Sequence, residues 1–195
     1  MNGSDATAFN LTQHTPKSVM KVAVLGAEST GKTSLCRDLA VHFNSPWVPE
    51  YMRTYLQEKW DSEQKICTWD DLLPIAQGQI DLENELAQQV EQTTGYLFCD
   101  TSLFELMVYA NWYYGDCPDA ITQAVLAHNY DLILLTKADI PWVADDLRDS
   151  PHEREEISAR FADELVHHDK IFRQIGGNRN ERVQQVVDWL NKIQS

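Results

Sequence analysis

The stretch VMKVAVLGAESTGKTSLCRDLAVHF, residues 19–43, decides the fold of this chain. Its first seven residues form an apolar run that is typical of a buried strand in a parallel sheet. Leu35, Leu39 and Phe43 then recur at four-residue spacing, which predicts the apolar face of a helix. Between strand and helix, residues 26–33 match G-x-x-x-x-G-K-[ST], the pattern of the phosphate-binding P-loop, in the context that this motif requires.

The P-loop pattern predicts a site for nucleotide phosphates. The backbone N–H groups of the curled loop point at phosphate oxygens, and the following helix adds its positive end. We expect Lys32 to reach the β- and γ-phosphates and the Thr33 hydroxyl to bind Mg²⁺. The alternative is a chance glycine-rich turn before a helix. The residues predicted to contact the nucleotide are Gly26, Glu28, Ser29, Thr30, Gly31, Lys32, Thr33 and Ser34.

The rest of the chain alternates strand-like and helix-like segments. Apolar runs cover residues 47–49, 96–99 and 131–135, residues 170–175 form a weaker strand pattern, and a helical pattern follows each of these segments. Such alternation predicts an α/β fold. We therefore predict a P-loop kinase-like parallel β-sheet of about five strands, flanked by helices and carrying a charged lid, in one domain over residues 19–195.

The composition limits the partners that the chain can bind. It has 195 residues, with 16 Lys and Arg against 30 Asp and Glu, and a net charge of −14. Broad binding to nucleic acid or to an anionic membrane needs clustered Lys and Arg, so neither partner is expected. A small anionic ligand is compatible with the acidity, because a few oriented N–H groups and one Lys can hold a phosphate. We expect a small-molecule partner, and the sequence leaves the oligomeric state open.

The N-terminus and the cysteines predict a cytoplasmic protein. Residues 1–18 lack the basic start and apolar core of a secretory signal. The four cysteines form no C-x-x-C pair, and Cys36 and Cys99 lie in apolar runs, where buried free thiols are expected. We predict that residues 1–18 are a flexible leader; the alternative is a short docking segment built on Phe9 and Leu11.

Two carboxylates follow predicted strands at the sheet edge where ligands bind in such folds. Asp100 ends the run YLFCD and is expected to orient Mg²⁺, although it could instead cap the next helix. Glu50 follows the short run WVP and is a candidate base for an acceptor hydroxyl; the alternative is a charge at a helix N-terminus. Arg53, one turn further on, could bind phosphate or pair with Glu50.

A charged segment between Asp139 and Arg160 contains Arg148, Arg154 and Arg160. As a mobile lid it would exclude water and bring an arginine, for which we name Arg148, to the transferring phosphate. The alternative is a solvated charged helix.

The aromatic block over residues 104–114 is mostly core in our interpretation. Trp112 or Tyr113 could nevertheless present a ring face to a flat base or a cationic ring.

One competing motif is Thr136-Lys137-Ala138-Asp139, which matches the guanine-reading [NT]-K-x-D pattern of GTPases. The sequence D-T-S-L after the strand at 96–100 lacks the D-x-x-G switch of those proteins. A regulatory ATPase or GTPase-type nucleotide switch is therefore kept as an alternative only.

Taken in order, five motifs resemble the NadR-type nicotinamide riboside kinase domain over residues 19–193. They are GAESTGKTSL, PEYMR, YLFCDTS, PWVADDLR and the turn GGNRNERV. The chain departs from the family pattern at Pro49, where members carry an aromatic residue, and Trp47 stands two residues earlier. It also departs at Thr54, where members carry Glu, and at Ser102, where they carry Asp.

The resemblance implies ATP-dependent phosphorylation of the 5′-hydroxyl of nicotinamide riboside, with Mg²⁺, to give nicotinamide mononucleotide. It implies that Lys32 and Thr33 serve ATP and Mg²⁺, with Glu50 and Asp100 at the acceptor and metal edge. Arg148 then belongs to the lid, and the turn with Gly177 and Arg182 lies near adenine. The residues named for the acceptor are Trp47, Glu50, Arg53, Asp100 and Trp112. Larger family members carry a helix-turn-helix and an adenylyltransferase domain, which we do not expect here. A kinase for another nucleoside or nucleotide is the alternative.

Overall fold

The computed structural model describes residues 9–93, 95–142 and 153–193. Within these ranges five parallel strands form one sheet in the order β2-β3-β1-β4-β5. The strands are β1 (Met20–Leu25), β2 (Trp47–Val48), β3 (Tyr96–Asp100), β4 (Leu132–Thr136) and β5 (Phe172–Ile175). The predicted fold class is confirmed.

Helices follow the strands as the sequence predicts. Those in the described ranges are α1 (Lys32–Phe43), α2 (Tyr51–Glu63), α3 (Leu72–Glu91), α4 (Leu103–Tyr114), α5 (Asp119–Ala127), α6 (Arg154–His167) and α7 (Arg179–Ile193), with a 3₁₀ turn at Trp69–Asp71. Thr68 and Asp71 form a reciprocal capping box at that turn, which places Pro74 in the first turn of α3.

The core lies on both faces of the sheet because β1 and β4 alternate apolar side chains to each side. Val22, Val24 and Leu134 pack with α1 and α7 on one face. Leu25 and Leu135 pack with α3, α4, α5 and α6 on the other. The strands are therefore buried on both sides, as their continuous apolar runs predicted.

The parallel register brings the chemistry-bearing residues to one edge. Val24 lies beside Asp100, and Leu25 lies beside Leu135. The chain therefore leaves β1, β3 and β4 at the same end of the sheet. β1 lies between β3 and β4, which is the kind of reversal point where open α/β sheets bind ligands.

The predicted flexible leader is wrong for residues 9–18. Leu11 is only 8% exposed, and its carbonyl oxygen lies 2.7 Å from His128 Nε2. The backbone N–H groups of Asn10 and His14 each donate a 2.7 Å hydrogen bond to a side chain of α3. These contacts satisfy the backbone of the segment and agree with the docking alternative at Leu11, whereas Phe9 is exposed. Residues 1–8 lie outside the described ranges.

Two smaller expectations concern the thiols and the membrane. All four cysteines are free, and Cys36 and Cys99 are buried as predicted. Of the helices described, none has the length and apolar character required to cross a bilayer.

Candidate active site

The loop between β1 and α1 depends on two glycines. Gly26 has φ of 144°, and a Cβ there would collide with the Thr136 hydroxyl. Gly31 has φ of 85° at the N-terminus of α1, a left-handed conformation that other residues rarely adopt. The spacing of the P-loop pattern therefore corresponds to two backbone positions that a side chain would disturb.

Hydroxyl groups hold the loop to the end of β4. The Thr30 and Thr136 hydroxyl oxygens lie 2.7 Å apart. Each hydroxyl has one proton, so one of them donates to the other while its partner donates to a carbonyl, either from Thr30 to Ala27 at 2.7 Å or from Thr136 to Leu25 at 3.0 Å. Thr136, which the sequence placed in a possible guanine-reading motif, thus acts as a support for the phosphate loop.

Arg182 contacts the backbone of the P-loop and of the turn at Gly177. Its side chain is 3% exposed, and its guanidinium donates to the carbonyl oxygens of Thr30 at 2.5 Å and Gly177 at 3.0 Å. It also forms an ion pair with Asp139, whose other carboxylate oxygen accepts the Gly177 N–H at 2.7 Å. Each of these contacts ties loop to loop, so Arg182 is a buried support of the P-loop, and it also lines a small cavity beside the loop together with Gly31 and Gly177.

The same contacts give Asp139 of the competing TKAD motif a structural role. Asp139 would have to present its carboxylate to a guanine, but it is already bound to Arg182 and to the Gly177 N–H. These partners hold the pKa of Asp139 below its ordinary value against the opposing effect of burial.

Lys32 is folded inward onto the protein. Its ammonium donates to the carbonyls of Gly26 at 2.7 Å and Ala27 at 3.1 Å and lies 3.1 Å from Glu105 Oε1. Burial by itself lowers the pKa of Lys32, but the negative charges of Glu105, Glu50 and Asp100 outweigh that effect and raise it. Lys32 therefore stays charged in this buried position.

Glu105 is a site residue that our sequence analysis missed. It is 2% exposed, and besides Lys32 it accepts the Gly26 N–H at 3.3 Å. Burial raises the pKa of Glu105 to about 8, with Lys32 acting in the opposite direction. The available signal was that Glu105 is the one charged residue in the helical run 103–114.

Asp100 and Thr33 form the expected oxygen pair. The Thr33 hydroxyl donates to Asp100 Oδ2 at 2.5 Å, whereas the buried Oδ1 has no hydrogen-bond partner among the described residues. Burial, followed by the charge of Glu50, raises the pKa of Asp100 to about 6. The helix-cap alternative for Asp100 does not apply, because Ser102 caps α4 by accepting the Phe104 N–H at 3.2 Å.

A cavity of about 300 Å³ opens in front of the P-loop. Glu50 lines it from the N-cap position of α2, where its side chain makes no capping hydrogen bond. Arg53, Glu105 and Tyr109 line the same cavity. The structure thus brings together the loop and the predicted residues Glu50 and Arg53, with Asp100 buried directly behind Thr33.

A second, more apolar cavity of about 450 Å³ continues from the first. Glu28, Met52, Leu56 and Tyr109 line both cavities. Three aromatic side chains from α2 and α4 line the second cavity but not the first, namely Trp60, Tyr113 and Tyr114.

Two predicted acceptor contacts lie elsewhere. Neither Trp47 nor Trp112 lines the two cavities. Trp47 packs in the core beside Arg37, with 5.3 Å between the guanidinium carbon and the ring centroid. The Trp112 indole N–H donates to Glu153 at 3.3 Å, whereas Tyr113, the other aromatic residue named for this role, lines the second cavity.

Arg148 lies outside the described residues, but Arg154 of the same charged segment reaches the P-loop. It donates to the carbonyls of Ser29 at 2.9 Å and Ile140 at 2.8 Å, and its buried Nε has no partner among the described residues. Arg160 instead pairs with Glu164 at 2.7 Å within α6.

Comparison with known proteins agrees with this geometry. A family model described as an AAA domain, AAA_28, matches residues 21–182. The chain is 31% identical over 140 residues to the trifunctional NAD biosynthesis/regulator protein NadR of Salmonella typhimurium, covering 70% of this chain and 33% of that protein. The chain thus spans about a third of the length of this curated relative.

Solved structures share the fold. A crystal structure of NadR protein in complex with NR superposes with a TM-score of 0.74 at 25% identity, covering 89% of this chain and 51% of that one. Deoxyadenosine kinase from M. mycoides superposes with a TM-score of 0.61 at 11% identity, covering 89% of this chain and all of that one, which shows a common fold only. The resemblance to NadR that the ordered motifs predicted is confirmed.

Proposed function

This chain belongs to the AAA_28 family of AAA domains, and we propose that it phosphorylates the 5′-hydroxyl of nicotinamide riboside with ATP. The products are nicotinamide mononucleotide and ADP. The single observation that carries the proposal is that the cavity at the P-loop continues into an aromatic-lined cavity, with Glu50 lining the part nearer the loop. Similarity to NadR, including a NadR structure with NR bound, supports this choice of acceptor.

The phosphate end of the reaction lies at the P-loop. The loop N–H groups and the N-terminus of α1 bind the phosphates, and Lys32 neutralises the charge that moves onto the β–γ bridging oxygen. Arg154 belongs to the charged segment and donates to the Ser29 carbonyl of the P-loop. Among the described arginines of that segment, we therefore assign the lid role to Arg154. Arg148 remains a prediction for the same role.

Thr33 and Asp100 fit a magnesium ion. A hydroxyl oxygen beside a buried carboxylate oxygen that lacks a partner is a donor set that Mg²⁺ accepts. Such an ion, if bound, would supply positive charge that offsets the negative charge of the phosphates during transfer. Mg²⁺ binds the ionised carboxylate, and its positive charge would oppose the burial that raises the pKa of Asp100 to about 6 in the ligand-free protein.

The acceptor end lies in the aromatic cavity. The ring of nicotinamide riboside is a flat cation, and aromatic faces such as those of Trp60, Tyr109 and Tyr113 attract such groups. Glu28 lines both cavities and adds a negative charge near the ring. With the ring held there, the ribose extends toward the P-loop cavity.

Glu50 is the proposed base. The 5′-hydroxyl oxygen attacks the γ-phosphorus, the bond from that phosphorus to the bridging oxygen breaks, and the hydroxyl proton passes to Glu50. Arg53, which lines the same cavity, is placed to bind phosphate or to orient Glu50.

The adenine end is proposed at a small cavity of about 150 Å³ beside the loop. Gly31, Leu35, Ile140, Gly177 and Arg182 are among the residues that line it. We therefore retain both Gly177 and Arg182 as nucleotide contacts, and Arg182 also supports the loop.

A coupled assay with a nucleoside panel tests the proposal. The wild-type protein is given ATP and Mg²⁺ with nicotinamide riboside, adenosine, uridine or thymidine, and ADP release is followed. We expect turnover with nicotinamide riboside above all others. Absence of turnover with it at millimolar ATP would contradict the acceptor, and absence with every nucleoside would contradict the kinase activity.

Ser102, which stands where the family pattern has Asp, caps α4 and lines neither cavity of the proposed site, so this departure does not favour another acceptor. The same panel separates nicotinamide riboside from neutral nucleosides. We retain the proposal of a cytoplasmic enzyme with a small-molecule substrate and without nucleic-acid or membrane partners.

A further inference from the structure

All three N–H donors of the Lys32 ammonium have an acceptor among the described residues. An ammonium carries three N–H donors. Its three close acceptors are Gly26 O, Ala27 O and Glu105 Oε1, all within 3.1 Å. To contact a phosphate, Lys32 must give up at least one of them.

Glu105 is the acceptor whose strength can change. The two carbonyls are fixed dipoles, whereas the carboxylate carries a charge that protonation removes. Glu105 is nearly fully buried yet lines the P-loop cavity, and its second oxygen is held by the Gly26 N–H at 3.3 Å. It is therefore fixed in place by the loop on which Lys32 acts.

We propose that Glu105 is a positioning residue that holds Lys32 in a retracted position when ionised and releases it to the phosphates of ATP when protonated. The inference rests on the proposed function in one respect, namely that ATP binds at the P-loop. The proton comes from solvent and stays on Glu105 while the nucleotide is bound, because an ionised carboxylate beside the phosphates would repel them.

Other charged and titratable groups face Glu105 from the surrounding elements. Lys32 and Cys36 lie on α1, Glu50 precedes α2, Asp100 ends β3, and Tyr109 lies one turn along α4. Glu50 and Asp100 both favour the protonated form of Glu105, and Lys32 favours the ionised form. Movement of Lys32 toward phosphate therefore removes the main charge that keeps Glu105 ionised.

The nucleotide affinity should depend on pH through the protonation of Glu105. Because burial raises the pKa of Glu105 to about 8, the residue is largely protonated at pH 7 and largely ionised at pH 9. Nucleotide affinity should be flat near pH 7 and should fall toward about tenfold per pH unit above pH 8, with uptake of close to one proton per nucleotide near pH 9.

Isothermal titration calorimetry tests this with the β,γ-imido analogue of ATP and Mg²⁺. Titrations at pH 7 and pH 9, each in two buffers of different ionisation enthalpy, give the number of protons taken up. We expect little uptake at pH 7 and uptake near one at pH 9 in the wild-type protein. Glu105→Gln should abolish the uptake at pH 9 and flatten the pH profile, Glu105→Asp should restore part of both, and Glu50→Gln should retain the uptake.

The outcomes distinguish a failure of the role proposed for Glu105 from a failure of the proposed function. Binding at pH 9 without proton uptake overturns the role of Glu105 and leaves the proposed function intact. Uptake that survives Glu105→Gln but not Glu50→Gln assigns the proton to Glu50 and also overturns it. Absence of nucleotide binding at both pH 7 and pH 9 overturns the proposed function and, with it, this inference. The wild-type titrations alone are decisive if Glu105→Gln does not fold.

Discussion

The Arg182 guanidinium donates a 2.5 Å hydrogen bond to the carbonyl oxygen of Thr30, across 152 residues of chain. Thr30 lies inside the P-loop, and Arg182 lies in the first turns of the last helix. The conformation of the phosphate loop is thus tied to the C-terminal part of the fold.

Replacing Arg182 by Lys should loosen the loop. A lysine cannot reproduce the fork of hydrogen bonds to Thr30, Gly177 and Asp139, and it leaves buried acceptors unsatisfied. We expect a loss of about 2–4 kcal/mol in the free energy of unfolding, measured by urea denaturation. The matched control is Arg179→Lys, whose exposed ion pair with Asp38 should contribute much less to stability. Equal effects of the two variants would argue against a special role for Arg182.

Lys32→Ala should remove most of the phosphotransfer activity. Loss of one charged group at the transferring phosphate costs about 3–4 kcal/mol of transition-state stabilisation, or a factor of about 10²–10³ in kcat. It also removes the cation beside the buried Glu105, so at pH 9, where that carboxyl is ionised in the wild-type protein, the single variant should be less stable than the double variant Lys32→Ala/Glu105→Gln. Steady-state kinetics and thermal denaturation measure the two effects separately, and additive stabilities would mean that the residues are not coupled.

Gly26→Ala should disable the loop through a collision. The added methyl group meets the Thr136 hydroxyl, and Gly26 has φ of 144°. Gly115→Ala is the control, because Gly115 also has positive φ, at 72°, but a Cβ there meets nothing within 4 Å. We expect about 1–2 kcal/mol from conformation alone at Gly115 and a larger loss, with nucleotide binding abolished, at Gly26. Nucleotide binding retained by Gly26→Ala would contradict the steric argument.

Tyr113→Ala should weaken binding of the acceptor without changing that of ATP. Tyr113 lines the aromatic cavity, and a ring that stacks on a flat base contributes about 1–3 kcal/mol, so KM for the acceptor should rise about tenfold. Trp112→Ala is the control, because Trp112 lies one residue away and does not line either cavity. A rise in KM with Trp112→Ala but not with Tyr113→Ala would instead favour Trp112 as the residue that contacts the acceptor.

The ligand-free protein should lose stability as the pH rises from 6.5 to 8. The pKa of Glu105 in the folded state is raised to about 8, so the native state binds a proton that the unfolded chain has already released. The free energy of unfolding therefore falls across this window, by up to about 1.4 kcal/mol per pH unit. The change should level off above pH 8 and should be smaller in Glu105→Gln. A wild-type stability that rises with pH over this range would contradict the buried, proton-binding carboxyl.

The buried His128 acts in the opposite direction at lower pH. Its pKa is lowered, chiefly by burial, so its contribution to stability is present above pH 6.5 and is lost as the pH falls further. This is why the test of Glu105 is confined to the range above pH 6.5.

Much of the fold could be predicted from local pattern. The order of strands and helices follows from periods of two and 3.6 residues and from turn residues, which act over a few neighbours along the chain. Asp100 was identified in the same way, because a residue at the end of a parallel strand must lie at the ligand edge. The errors at residues 9–18 and Trp112 concern surfaces, where burial depends on what another segment covers.

The sequence by itself determined the phosphate loop, since its glycines, lysine and threonine act through the conformation of eight consecutive residues. Only the tertiary structure decided which charges face one another. Glu105 meets Lys32 across 73 positions and the Gly26 N–H across 79, and Arg182 meets Thr30 across 152. Electrostatic and hydrogen-bond energies depend on distances of a few ångströms in space, and separation along the chain does not define those distances.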